Sequence, residues 1–284
     1  MTMTDAASQT TTTVDKVRVT GVCKRFSRVE HGKTEIVDAL EDVSMVVRPG
    51  EIVVLTGQSG CGKTTLLRIL MGLDKATAGT VTVDDKRITG PGPDRAMVFQ
   101  HAELLPWRSA IGNVEFGLET TGVHSKKERR AIARQYIELV GLGDAARRNP
   151  YELSGGMRQR VSLARAMAIQ PEVLLMDEPF GALDAQTRET LQQEVLSLQL
   201  EQHQTIVFVT HDLDEAVLLA DRVVMLAPSP GRVHTVVDVN LPRPRHKIED
   251  IRTSDAFMEL RALLWRELQA ANKTATPVAE IEKR

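Results

Sequence analysis

Gly57-Gln58-Ser59-Gly60-Cys61-Gly62-Lys63-Thr64 follows the apolar run Ile52-Val53-Val54-Leu55 and precedes Thr65-Leu66-Leu67-Arg68-Ile69-Leu70. The order is strand, glycine-rich loop, helix. Glycines 57, 60 and 62 let the backbone curl until its N–H groups point inward at an anion. The start of the next helix adds the positive end of its dipole at the same spot. Lys63 brings a full charge for the β- and γ-phosphates, and Thr64 brings a hydroxyl for Mg²⁺. Gln58, Ser59, Cys61 and Thr65 complete the candidate nucleotide-binding set. A glycine-rich turn before a helix can arise by chance, but the apolar strand and the complete spacing set this one apart. Alone, the loop says only that a nucleoside triphosphate binds.

Two stretches downstream sharpen the reading. Leu153-Ser154-Gly155-Gly156-Met157-Arg158-Gln159-Arg160 comes first, then Val173-Leu174-Leu175-Met176-Asp177-Glu178, an apolar strand that ends in two carboxylates. An unpaired carboxylate at the end of a buried strand is expensive, so Asp177 is expected to serve the Mg²⁺ through water. Glu178 is placed to polarise a water for in-line attack on the γ-phosphate. An isolated Asp-Glu pair would more simply be a helix cap and a surface charge. Taken in this order, the three stretches resemble the ATP-binding cassette (ABC) family over residues 17–226.

The resemblance implies further roles. Gln100 matches the glutamine that senses Mg²⁺ and the attacking water. His211 matches the switch histidine that contacts the γ-phosphate. Gly181-Ala182-Leu183-Asp184 resembles the family's D-loop, which adds Asp184 to the nucleotide set. Phe26 matches the aromatic that stacks on adenine, with an ordinary core phenylalanine as the alternative. Ser154, Gly155 and Gly156 match the signature that faces the ATP of a second subunit, and a serine hydroxyl, glycine amides and a helix N-terminus make a fitting anion site. A head-to-tail homodimer with two ATP molecules follows. Met157 departs from the family's commonest glutamine. Arg158, Arg160 and Arg165 on the same helix read either as a nucleic-acid patch or, better given the overall charge, as a solvated or subunit-facing face.

The implied fold is α/β: a P-loop NTPase with a RecA-like core, an antiparallel β subdomain and an α-helical subdomain. Strands are expected at residues 17–19, 44–47, 51–55, 80–83, 86–88, 96–99, 173–176, 205–209 and 223–226, with a hairpin turn at Asp84-Asp85. The parallel-type runs are almost continuously apolar, as strands buried on both faces should be. Ser125 and Glu128 have capping-box spacing, and a helical insert is expected over about residues 104–169. Residues 1–15 and 272–284 read as disordered tails, 16–240 as the ATPase domain, and 241–271 as an extension. In that extension a helix starting near Ser254 sets Phe257, Leu260, Leu264 and Leu268 on one stripe.

Composition narrows the job. A net charge of −2 gives no reason to expect a nucleic-acid partner. Two cysteines, Cys23 and Cys61, fit a reducing compartment. No signal peptide and no run of about 18 apolar residues is visible, so any membrane role is borrowed from a partner. Gly90-Pro91-Gly92-Pro93-Asp94-Arg95, Leu104-Leu105-Pro106-Trp107 and Leu241-Pro242-Arg243-Pro244-Arg245 resemble the nitrate/sulfonate/taurine branch of bacterial importers. That likeness implies a permease, a solute-binding protein met indirectly, and a peripheral place on the cytoplasmic face of the cell membrane. Trp107 is expected either at the permease contact or in the core. The competing reading is a soluble ABC ATPase acting on nucleic acid or ribosomes. Such proteins usually carry a coiled-coil insertion or a second cassette, and neither is seen.

Overall fold

Five parallel strands organise the chain, and each is buried on both faces. A computed structural model describes residues 15–30, 33–122, 125–243, 245 and 251–273. The parallel strands are β3 (Ile52–Gly57), β6 (Arg95–Val98), β7 (Val173–Asp177), β8 (Thr205–Val209) and β9 (Arg222–Ala227), joined at one edge by antiparallel β10 (Arg232–Asp238). The order is β10-β9-β3-β8-β7-β6. Along β3 the side chains alternate between two cores. Ile52 and Val54 face one, which also receives Leu174, Met176 and Phe208. Val53 and Leu55 face the other, with Leu175, Val207 and Val209. Burial on both sides explains why these strands read as unbroken apolar runs.

The second core lies under a four-stranded antiparallel sheet of order β2-β1-β4-β5, with β1 at Val17–Glu30, β2 at Lys33–Val47, β4 at Ala78–Val83 and β5 at Lys86–Arg87. α1 (Lys63–Met71) buries Leu66, Leu67, Ile69 and Leu70 between the two sheets. The β4–β5 turn is the expected one: Asp84 and Asp85 take φ of 46° and 60°, the double left-handed geometry of a two-residue hairpin. The antiparallel sheet differs from expectation in extent. Residues 17–19 and 44–47 are only the ends of strands of 14 and 15 residues. Register shifts at residues 19–25 and the left-handed Gly21 and Asp42 break the period-2 pattern. β10 was not expected either. Among the described residues it is an edge strand that pairs with β9 alone, and its side chains are half-buried or exposed, so its hydrophobic alternation is weak.

The helical insert comprises α2 (Ala110–Thr121), α3 (Lys126–Leu139) and α4 (Gly155–Ala168). Ser109, Ser125 and Ser154 cap them through side-chain bonds to Gly112, Glu128 and Met157 N–H groups, and Glu128 completes the capping box on α3. α5 (Ala185–Gln202) and α6 (Leu213–Leu219) return to the central sheet. The final helix, α7 (Asp255–Lys273), buries Phe257, Leu264 and Ala271, with Leu260 and Leu268 partly covered by the same core. Its apolar stripe therefore packs on its own domain. Of the tails expected at residues 1–15 and 272–284, residues 1–14 and 274–284 lie outside the described residues, as does Pro244 of the Pro/Arg segment, whereas residues 272 and 273 belong to α7. Among the described residues no helix is long and apolar enough to cross a membrane.

Candidate nucleotide site

Parallel register brings four loops to one edge. Leu55 pairs with Val209, Asp177 also pairs with Val209, and Val98 pairs with Met176. The segments that leave β3, β6, β7 and β8 therefore emerge side by side at the carboxyl ends of the strands, the usual place for a ligand in an open α/β sheet. They carry the phosphate loop, Gln100, Asp177-Glu178 and His211.

The loop after β3 is shaped by glycines that could not be replaced. Gly57 has φ 143°, and a Cβ there would stand 2.5 Å from Leu226 O and 2.9 Å from Cys61 Sγ. Gly62, the N-cap of α1, has φ 91°, and its Cβ would meet Leu40 Cδ2 at 2.5 Å and Ala39 O at 2.8 Å. β2 and β9 thus floor the loop from behind. Burial pushes the Cys61 thiol up, which makes it a small filler and not a nucleophile. Lys63 is buried, and its ammonium donates to Gly57 O at 2.8 Å and Gln58 O at 3.1 Å. Ser59 and Gly60 lie exposed at the loop's tip, and Thr65 is half-buried in the first turn of α1.

Thr64 Oγ1 donates to Asp177 Oδ1 at 3.1 Å. Asp177 is buried, and burial pushes its carboxyl above the ordinary carboxylate range. The Thr64 bond opposes that shift, the neighbouring Glu178 charge adds to it and Lys63 opposes it. Both oxygens of Glu178 are engaged. Gln100 Nε2 donates to Oε2 at 3.2 Å, and His211 Nδ1 lies 3.2 Å from Oε1. Glu178 takes φ 45°, a left-handed conformation that costs a residue with a Cβ about 1–2 kcal/mol. Its N–H is held by Val209 O at 3.0 Å.

The remaining expected residues lie elsewhere. Phe26 is exposed on the outer half of β1, opposite Val37, with Lys24 Nζ 4.7 Å from its ring centre. It is not a core residue. Ser154 caps α4 by accepting from Met157 N, and among the described residues neither it nor Gly155 hydrogen-bonds to the phosphate loop. Gly156 lies against Ala182 O and Leu183. Asp184 caps α5 by accepting from Thr187 N at 3.0 Å, and that N–H holds its carboxyl below the ordinary range.

The arginines of α4, expected on a solvated or subunit-facing helix, are half-buried and bond within the domain. Arg158 donates to Leu153 O, Arg160 to Val140 O, and Arg165 to Glu103 O and Ala102 O. All three donate to the domain's own carbonyls. Gln159, which sequence reasoning passed over, donates to Phe99 O at 2.9 Å. Gln159 and Arg165 thus tie α4 to both sides of Gln100. Asn113 was also missed. It is fully buried, accepts from Leu105 N and donates to the carbonyls of Leu105, Arg108 and Ser109. It thereby shapes the loop that displays Trp107, which is 75% exposed and so not a core residue.

Fold, loop and carboxylates together define a P-loop NTPase of cassette type. The family model described as ABC transporter matches residues 40–181, half of the chain. An uncharacterised ABC transporter ATP-binding protein of Methanocaldococcus jannaschii is 47% identical over 247 residues, 87% of this chain and 90% of that one. The nitrate import ATP-binding protein NrtD of Synechocystis sp. is 46% identical over 238 residues, 82% and 89% of the two chains. The bicarbonate transport ATP-binding protein CmpC of Synechococcus elongatus is 46% identical over 226 residues, 79% of this chain but only 34% of the longer relative. A dimeric ATP-binding cassette in a post-hydrolysis state, bound to ADP and Pi, superposes with a TM-score of 0.72 at 33% identity, covering 80% of this chain and all of that one. The chain belongs to the ABC transporter family as an ATP-binding subunit, and it is an ATPase.

Proposed function

We propose that this chain is the ATP-hydrolysing subunit of an importer that drives a small oxyanion through a partner permease. The observation that carries the reading is the convergence of Thr64, Asp177, Gln100, Glu178 and His211 at one sheet edge, with the two carboxylates held by separate partners. Glu178 is the base that polarises the attacking water. Gln100 and His211 fix its two oxygens, and each oxygen keeps a lone pair for that water. Lys63 and the loop amides hold the phosphates.

The donor set suits Mg²⁺. Thr64 Oγ1 and Asp177 Oδ1 are hard oxygens, and a burdened buried carboxylate is what a cation relieves. With two protein oxygens offered, Mg²⁺ would take its remaining ligands from phosphate oxygens and water. When bound, the ion neutralises charge on the transferring phosphoryl group.

Ser154, Gly155 and Gly156 open α4 with a capped N-terminus, and the post-hydrolysis cassette that this chain resembles is dimeric. We read the signature as serving the ATP of a second copy, with Asp184 lining the same interface and Phe26 offering its exposed ring to adenine. Trp107 and its neighbours are the contact for the permease, which would hold the subunit at the cytoplasmic face of the membrane. Nitrate and bicarbonate, named for two relatives, are both small planar oxyanions. The permease and solute-binding protein select the solute, so only that class carries over. Reconstitution with the permease that co-purifies with this chain from native membranes tests the reading. Nitrate-stimulated, MgATP-dependent uptake is expected, and ATPase activity that no permease alters would overturn the transport assignment.

A further inference from the structure

His211 is held by residues on both sides of it, and those residues lead away from the nucleotide. Thr210 Oγ1 accepts from Asp212 N at 3.0 Å and donates to Glu215 Oε2 at 2.7 Å. Both neighbours of His211 are therefore tied to one hydroxyl. Glu215 Oε1 accepts from Gln192 Nε2 at 3.2 Å, and Gln192 Oε1 accepts from Arg252 Nη2 at 3.1 Å. Thr210, Glu215 and Gln192 are buried, so water cannot replace a lost partner cheaply. Gln192 Nε2 faces Glu215, which leaves Oε1 needing a donor. Arg252 is that donor.

The chain segment that brings Arg252 also grips α6, which starts two residues after His211, at both of its ends. Arg261 pairs with Asp214 in the first turn. Arg245 donates to Leu218 O at 3.2 Å and to Ala220 O at 2.5 Å at the last turn, where helix carbonyls lack partners of their own. Three arginines from beyond the central sheet therefore fix the helix and the turn that present His211.

We infer that the C-terminal segment is a positioning element for His211, and that Arg252 acts on it through Gln192, Glu215 and Thr210. Among the described residues, Arg245, Arg252 and Arg261 bond to α5, α6, Ala220 and Val239 and not to the phosphate loop or Glu178, so their effect belongs to the geometry of hydrolysis and not to ATP binding. The inference rests on the reading that His211 acts in hydrolysis by holding Glu178.

The test is steady-state turnover of the full chain with MgATP. Arg252→Met keeps the aliphatic stem and removes the donor. A kcat lower by on the order of ten- to a hundredfold is expected, the scale of a catalytic group displaced by a distant change. KM for ATP should stay within about twofold, since ground-state binding is untouched. Arg252→Lys, which can still donate, should recover most of the loss. Thr210→Val severs the relay at its other end with little change in volume and should show the same kcat-only loss, with Thr210→Ser retaining activity. Unchanged kcat in folded Arg252→Met, beside an inactive His211→Ala, overturns the inference alone. Parallel loss of kcat, ATP affinity and melting temperature, not recovered by Arg252→Lys, overturns it in favour of a purely structural contact. Normal turnover in His211→Ala overturns the site reading beneath it. If Arg252→Met does not fold, the Thr210 pair decides the matter: Thr210→Val with normal kcat overturns the inference.

Discussion

Thr64 and Asp177 are separated by 113 residues of sequence and by 3.1 Å between side-chain oxygens. The bond satisfies a carboxylate that burial otherwise pushes toward its protonated form. A raised carboxyl pKa means the folded chain binds more protons than the unfolded one between the ordinary carboxylate range and the raised value. Stability is therefore lost as pH climbs through that window and is fully lost above it. Asp177→Asn should thus raise the melting temperature of the nucleotide-free protein at pH 7. A gain of 1 kcal/mol corresponds to roughly 2–4 °C in a domain of this size. The gain should fade as pH falls into the ordinary carboxylate range, and turnover should be lost at every pH. An unchanged or lower melting temperature at pH 7 would contradict the argument.

Glu178→Gln removes the base and leaves the phosphate cradle intact. It should lower kcat by about 10²–10⁴-fold, the range for a general base, and leave ATP binding in place. With hydrolysis blocked, gel filtration in MgATP should show a dimer. A monomer under those conditions, or near wild-type turnover, would remove Glu178 from its role. Lys63→Ala should differ by losing ATP affinity as well.

Composite sites can be tested by mixing. Ser154→Arg blocks the signature and spares the phosphate loop, whereas Lys63→Ala does the reverse. A mixed dimer joins two intact halves at one site and two damaged halves at the other, so nucleotide should be occluded at a single site. Normal binding and hydrolysis by Ser154→Arg alone would show that the signature does not act in trans.

Trp107 and Asn113 should separate docking from folding. Trp107 is largely exposed, so Trp107→Ala should leave the melting temperature unchanged while weakening assembly with the permease by on the order of 2 kcal/mol. Asn113→Ala strips four hydrogen bonds from the loop beneath it. It should lower stability by about 1–3 kcal/mol, the range for orphaned buried polar groups. Denaturant unfolding and co-purification with the permease check the pair.

The parts of this site legible in the sequence are those in which chemistry and local structure coincide. Gly57 to Thr64 is both a loop and a phosphate cradle, and Asp177-Glu178 ends a strand that is apolar because it is buried twice over. The outer halves of β1 and β2 were not legible, because bulges at residues 19–25 interrupt the alternation. Gln159, Gln192, Glu215 and Arg252 were not legible for a different reason. Apart from Thr210, five residues before Glu215, their partners are carbonyls or side chains tens of residues away. The one local sign is a glutamine on a buried helix face, as with Gln192 beside Leu191 and Val195 in α5. The partners of the α4 arginines were not legible because charge is counted along a sequence, whereas partners are set by the fold.

The left-handed backbone at Glu178 bears on how such a chain would drift under selection. Glycine suits that conformation far better than glutamate does, so local folding preference and turnover pull this position in opposite directions. Were hydrolysis no longer required, a change to glycine here would relieve backbone strain while leaving the nucleotide cradle whole. A relative with Gly at this place beside an intact Gly57–Lys63–Thr64 equivalent would then be a cassette that has kept its grip on ATP and retired from spending it.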